Sequence, residues 1–135
     1  MIAAVTPEDA SDDAVAWLDH HASHDLAISD WTRVEIASAL AMKIRVGHLD
    51  TGHRNAIQTV LDEWLEDTLD VLPLERETFA EARWFIESSR RGLRSGDALH
   101  LALARSITAG LVTLDRTLAA EARDAGLDVV VPGED

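Results

Sequence analysis

The chain has 135 residues, 47% of them hydrophobic, a formal net charge of −13 and no cysteine. That length supports one domain with a proper core, and the lack of cysteine excludes disulfides, thiolate catalysis and thiolate-bound zinc while fitting a reducing cytoplasm. The acidity excludes nucleic-acid binding by bulk electrostatics alone, which rests on phosphate neutralisation by Lys and Arg; no run approaches the ~18 apolar residues of a membrane span, and no signal peptide opens the chain.

Residues 1–5 form a short apolar stretch ahead of Thr6-Pro7. Proline followed by Glu8 and Asp9 predicts a helix over 7–21, with Ala14, Val15, Trp17 and Leu18 on its inner side. Leu26-Ala27-Ile28 reads as a short buried strand. Asp30 opens a second helix that runs through Ile44 and stops near Gly47. Asp50 or Thr51 caps a third, with Ile57, Val60, Leu61, Trp64 and Leu65 at helical spacing. Residues 69–72 read as a strand closed by Pro73. A helix over 75–91 follows, ended by Gly92, with Phe79, Ala82, Phe85 and Ile86 as its apolar stripe. Ser95 is the expected N-cap of the next helix, which runs to about Ala109 with Gly110 as C-cap. Residues 111–114 read as a strand, 116–125 as a short helix closed by Gly126, and 128–131 as a last strand. In the later half strand and helix alternate, and the strands are nearly continuously apolar. That pattern predicts an α/β fold, a parallel sheet covered by helices, as one domain over 1–135.

Three acids, far apart in sequence, stand among apolar residues: Glu35 in Val34-Glu35-Ile36-Ala37, Asp97 in the first turn of an otherwise apolar helix, and Asp115 after Leu111-Val112-Thr113-Leu114. A carboxylate buried alone is costly, so each needs a partner, a proton or a metal. In parallel α/β sheets, sites lie at the carboxyl ends of strands. Asp115 follows a strand end, and Glu35 and Asp97 lie near helix starts, which suits a common crevice. Converging carboxylates suit a hard cation such as Mg²⁺ or Mn²⁺, and such a site activates water for attack on a phosphodiester. Each acid alone has a plainer reading: Glu35 on a solvated helix edge, Asp97 as a local cap, Asp115 as a helix start.

The segments Ser29-Asp30-Trp31-Thr32-Arg33-Val34-Glu35-Ile36-Ala37-Ser38-Ala39-Leu40, Asp97-Ala98-Leu99-His100-Leu101-Ala102 and Leu111-Val112-Thr113-Leu114-Asp115-Arg116-Thr117-Leu118 together resemble the PIN-domain proteins. More narrowly they resemble toxin ribonucleases of the VapC type, in order, spacing and surrounding residues, over residues 3–131. The resemblance implies a three-layer α/β fold, a parallel sheet flanked by helices. It also implies an endoribonuclease, the toxin of a type II toxin–antitoxin pair, in which a quartet of acids binds Mg²⁺ or Mn²⁺ and hydrolyses RNA. Glu35, Asp97 and Asp115 correspond to the second, third and fourth acids. A homodimer and a cognate antitoxin with a basic tail are implied as well. One departure stands out. The family opens on a strand ending in the first acid, whereas residues 1–5 resemble the helix after it, so the first strand and first acid are expected to be missing. Neither Glu8 nor Asp9 has the preceding apolar run to substitute. A start at an internal methionine and a specialised member both fit, and the loss would weaken packing and metal affinity. A PIN-like module that binds an antitoxin or another basic partner without cutting RNA is therefore the alternative, and an acidic helical adaptor with no site a third reading.

The cations are local. None precedes Arg33, while Arg90, Arg91 and Arg94 crowd ahead of Asp97 and Arg116 follows Asp115. Arg94 and Arg116, beside the acids, are the candidates to meet RNA phosphates; Arg90 and Arg91 read as a solvated helix end. Thr113 or Ser29 is a candidate to orient a water or a ligand. His20, His21 and His24 suggest metal, since positions four apart share a helix face, but a polar, acidic helix end without cysteine argues against a specific site. His100, one turn after Asp97, is within reach of the same crevice but reads rather as a packed or hydrogen-bonded core histidine, and Trp17, Trp31, Trp64 and Trp84 read as core or interface.

Overall fold

The structure, a computed structural model, describes residues 3–5 and 26–134. The elements in order are strands Ala3–Val5 (β1) and Leu26–Ser29 (β2), helices Asp30–Arg45 (α1) and Thr51–Thr68 (α2), and strand Asp70–Leu72 (β3). Helices Arg76–Ser88 (α3) and Ser95–Ser106 (α4), strand Gly110–Val112 (β4), helix Arg116–Asp124 (α5) and strand Val129–Val130 (β5) complete it. The strands form one sheet in the order β3-β2-β1-β4-β5. Every pairing is parallel, with Ala4 opposite both Ala27 and Leu111, Ile28 opposite Val71, and Leu111 opposite Val129. The chain moves outward from β2 to β3 on one side of β1 and from β4 to β5 on the other. Right-handed crossovers then put α1 and α2 on one face and α5 on the opposite face, which is the three-layer α/β architecture.

The core lies between the sheet and α4. Residues 97–104 of α4 are all buried, and Leu99, Leu101 and Ala102 join Ala82, Phe85, Leu93, Leu111, Leu118 and Ala122 in one apolar cluster. Ala98, Ala102 and Ala104 lose all their exposure. Small side chains there let the helix approach its neighbours closely while Leu101 fills the space between. Burial of a leucine of this kind contributes roughly 1.5–3 kcal/mol.

Several elements differ from expectation. The first strand is present: Ala3–Val5 pairs with both β2 and β4 and occupies the middle of the sheet. Without it the facing edges of β2 and β4 would leave their ladder groups unpaired, and backbone pairing rather than helix propensity decides the state of so short a segment. The expected helix over 7–21, Glu8, Asp9, the missing first acid and the histidines at 20, 21 and 24 lie outside the described residues. Helix α3 stops at Ser88 rather than near Arg91. Ser89 leaves the helix because its hydroxyl donates to Glu121 at 2.5 Å and accepts from Arg91 and Leu93 N–H groups. The buried face of α3 is Thr78, Ala82 and Phe85, while Phe79 and Ile86 stay exposed on its flanks. Helix α4 is capped by Arg94 without a side-chain bond, and Ser95 is its first residue. It ends at Ser106 through Thr108, which adopts the left-handed conformation (φ 54°), with Ala109 N–H donating back to Ala104. Gly110 therefore starts β4 instead of capping a helix.

Candidate functional site

Strand β2 delivers α1 through a built cap. Ser29 Oγ accepts from the Thr32 N–H at 3.1 Å and lies 3.3 Å from Thr32 Oγ1, and both residues are buried. This satisfies one of the helix's orphan donors and fixes the first turn. Trp31 and Glu35, four residues apart, then share a helix face. Glu35 is only 22% exposed, and its Oε1 stands 2.5 Å from His100 Nε2 on α4. An ionised carboxylate only accepts, so the imidazole Nε2–H is the donor. His100 itself is 1% exposed.

Helix α4 brings the second acid. Asp97 is buried in its first turn, where free backbone N–H groups and the helix dipole favour a carboxylate. The preceding residue, Gly96, makes the approach of α1 possible: a Cβ there would stand 3.1 Å from Glu35 Oε2 and 3.1 Å from Trp31 Nε1. Among the described residues the Trp31 indole N–H is a buried donor without a hydrogen-bond partner. Glu35 thus bonds to His100, one turn after Asp97, and lies against the Gly96 position before it, so the structure brings these two acid-bearing helices together.

Asp115 follows β4. Its Oδ1 accepts from the Leu118 N–H at 2.9 Å, capping α5, and its own N–H donates to Thr113 Oγ1 at 3.0 Å. Asp115 is thereby a helix start, as the plainer reading has it, placed just beyond a strand end. The hydroxyls of Ser29 and Thr113 both serve neighbouring backbone N–H groups. In this strand order the chain reverses direction between β1 and β4, and ligands of open parallel sheets bind at such a switch point, outside the carboxyl ends. Glu35, after β2, and Asp115, after β4, follow the carboxyl ends of the two strands that flank β1.

The arginines are at the surface. Arg94 is exposed at the start of α4, and Arg116 reaches Glu134 at 2.5 Å while 83% exposed. Arg91 bonds to Asp124 at 2.7 Å, which raises its pKa above the ordinary arginine value and ties it down. Trp84, read as core or interface, is largely exposed and edge-on to Phe85.

As hard oxygen donors, Glu35, Asp97 and Asp115 fit Mg²⁺ or Mn²⁺ in kind. In arrangement, the described residues contain no group of three His, Asp or Glu side chains set around one ion. His100 is the buried, hydrogen-bonded histidine that the sequence suggests, and what the sequence does not give is its partner Glu35. The histidine's spacing of three from Asp97 puts the two on one face of α4, but the partner 65 residues away leaves no trace in helical periodicity.

The PIN domain family model matches residues 1–123. The chain belongs to the PIN domain family. This PIN domain is similar to PAE2754 from Pyrobaculum aerophilum, with a TM-score of 0.71 and 27% identity over 96% of this chain and 92% of that one. Its fold is also similar to FitAcB from Neisseria gonorrhoeae, with a TM-score of 0.68 and 21% identity over 98% of each chain. A toxin-antitoxin complex from Klebsiella pneumoniae gives a TM-score of 0.63 and 17% identity over 98% of this chain and 99% of that one. No curated protein matches the PIN domain described here. Among the described residues no helix is long and apolar enough to cross a membrane.

Proposed function

We propose that this PIN domain is a metal-dependent endoribonuclease, the toxin component of a type II toxin–antitoxin pair. Family membership and the likeness to a toxin-antitoxin complex support the reading. The observation that carries it is the meeting of α1 and α4, where Glu35 bonds to His100, one turn after buried Asp97, and closes on the Gly96 position just before it. Glu35, Asp97 and Asp115 would hold Mg²⁺ or Mn²⁺, which when bound supplies activation of water and stabilisation of charge on the phosphoryl group. The protein's own part is to fix and aim these carboxylates. Asp97 sits where the α4 dipole favours its charge, and Asp115 is fixed by two backbone contacts. Arg94 and Arg116, exposed beside the acids, would meet flanking phosphates without reading base sequence. An antitoxin with a basic tail suits a chain of net charge −13, and exposed Val34 and Met42 along α1, with Val46 just beyond its end, offer it apolar contact.

The test is Mn²⁺-dependent cleavage of a mixed RNA by wild type beside Asp97→Asn purified identically. Loss of a direct ligand should exceed the roughly 10–100-fold cost of losing a supporting contact, so cleavage should fall by more than about 100-fold. Equal cleavage by both proteins would reject the assignment. The absence of a three-ligand group among the described residues favours a second reading: a PIN module that binds an antitoxin or other basic partner without cutting RNA. Its signature is a tight partner complex with no metal-dependent cleavage by either protein.

A further inference from the structure

We infer that the pocket between the ends of α3, α4 and α5 is a second subsite for RNA, where a base away from the cleaved bond stacks on Trp84 and a phosphate meets Arg90. The inference rests on the proposed ribonuclease reading.

The pocket has a volume of about 600 Å³ and is lined by Trp84 and Phe85 of α3, Arg90 and Arg91 of the loop after it, and Arg105 of α4. It lies at the far end of two helices from the proposed acids. Asp97 is in the first turn of α4 and Arg105 in its last; Asp115 caps the start of α5, and Asp124, which also lines the pocket, is its last residue. At 1.5 Å per residue, Asp97 and Arg105 stand about 12 Å apart along α4, a span that several nucleotides of one strand cover. The chain carries a net charge of −13, yet three of its 12 Lys and Arg residues gather here. They are not equivalent. Arg91 is bonded to Asp124, and Arg105 lies 3.3 Å from Glu81 with its guanidinium 5.5 Å from the centre of the Phe85 ring. Both also suit helix carboxyl ends, where free carbonyls favour a cation, so the fold itself accounts for them. Arg90 is exposed and has no ion partner among the described residues. Trp84 is 56% exposed and edge-on to Phe85, which leaves a large ring in water at the same pocket. An exposed aromatic ring beside a guanidinium is how single strands are held without sequence readout: the base stacks and the cation meets a phosphate. An acidic peptide fits less well, because helix and loop residues line the pocket and offer no strand edge to a peptide backbone.

The test is binding of a fluorescein-labelled single-stranded RNA oligonucleotide, read by anisotropy over a range of salt, in an Asp97→Asn background that leaves the RNA uncut. Trp84→Ala should weaken binding about 10-fold, the order of one stacked base lost, and Trp84→Phe should recover most of it. Arg90→Gln should weaken binding and flatten its salt dependence by about one charge. Lys43→Gln removes the same charge from an exposed position on α1 and should do neither. With Asp97 restored and Mn²⁺ present, Trp84→Ala should raise the KM for RNA cleavage and leave kcat unchanged, because the contact is made equally in the ground and transition states. Arg90→Gln, at an exposed position, decides the matter should Trp84→Ala not fold by circular dichroism. Wild-type binding by both Trp84→Ala and Arg90→Gln, with cleavage intact, overturns the subsite and leaves the ribonuclease reading standing. Equal losses in Arg90→Gln and Lys43→Gln also overturn it, since bulk charge then explains the effect. Trp84-dependent binding of polyglutamate but not of RNA overturns it in favour of an acidic peptide. If wild type neither binds nor cleaves RNA, the ribonuclease reading falls first, and the subsite falls with it.

Discussion

Helices α4 and α1 each carry a candidate acid and hold it by different means. In α4 residues 97–104 are all buried, so Asp97 is placed by the packing of the domain itself. Helix α1 is longer, at 16 residues, yet buries only Thr32 and Leu40 and leaves Val34 and Met42 exposed. Glu35 is therefore placed by a few specific contacts: the Ser29 cap at one end and the His100 bond across the gap. The lesson is that one acid depends on global stability and the other on local bonds. Substitutions in the two helices should separate folding from site geometry.

The largest expected effect is in the core. Leu101→Ala, at a fully buried position, should cost about 2–5 kcal/mol in urea unfolding. Val34→Ala in α1, where the side chain is 57% exposed, should stay within about 0.5 kcal/mol. Similar losses at both positions would break the contrast between the helices.

Asp115 sharpens it from a third element. Asp115→Ala removes the α5 cap and should lower stability by about 0.5–2 kcal/mol, whereas Asp115→Asn keeps a good capping side chain and should stay near wild type. RNA cleavage should fall in both. An Asn variant that is stable and fully active would leave Asp115 as a helix cap alone.

Gly96→Ala gives a smaller, local effect. Alanine is favoured over glycine in a helix by about 0.5–1 kcal/mol, but its Cβ would stand 3.1 Å from both Glu35 Oε2 and Trp31 Nε1. Thermal stability should change little, while Mn²⁺ affinity drops several-fold as the carboxylate shifts. A thermal gain with unchanged affinity would show that Oε2 has room to spare.

The smallest effect lies at the start of α2. Asp50 caps that helix through the His53 N–H at 2.7 Å, and this bond to its ionised form, followed by the bond to the His53 side chain, lowers its pKa. With the folded pKa below the unfolded one, the cap's contribution is fully present above the ordinary carboxylate range and is lost as pH falls through the folded value. The melting-temperature difference between wild type and Asp50→Ala should therefore shrink on acidification. A difference that holds constant into strong acid would contradict the assignment of the cap to the ionised carboxylate.

Much of this was legible in the sequence because it follows from local rules. Continuous apolar runs such as Leu26-Ala27-Ile28 and Leu111-Val112 read as buried parallel strands, and Asp50 and the first-turn position of Asp97 follow from helix-terminus chemistry. What was not legible depends on distant partners. Three residues, Ala-Ala-Val, carry too little pattern to declare a strand, and β1 exists because β2 and β4 both pair with it. The end of α3 is set by Ser89 reaching Glu121 on α5, and Phe79 is turned out because Thr78, Ala82 and Phe85 take the packed face. The Glu35–His100 bond belongs to the same class: each residue reads as ordinary on its own helix, and only the local meeting of the two helices at Trp31, Glu35, Gly96 and His100 gives the pair meaning.

The most direct test of the central claim is a crystal grown with Mn²⁺ and examined by anomalous diffraction. The account predicts a Mn²⁺ peak ligated by carboxylate oxygens of Glu35, Asp97 and Asp115, with Glu35 still bonded to His100. A peak elsewhere on the protein, or an empty crevice at saturating Mn²⁺, would contradict it.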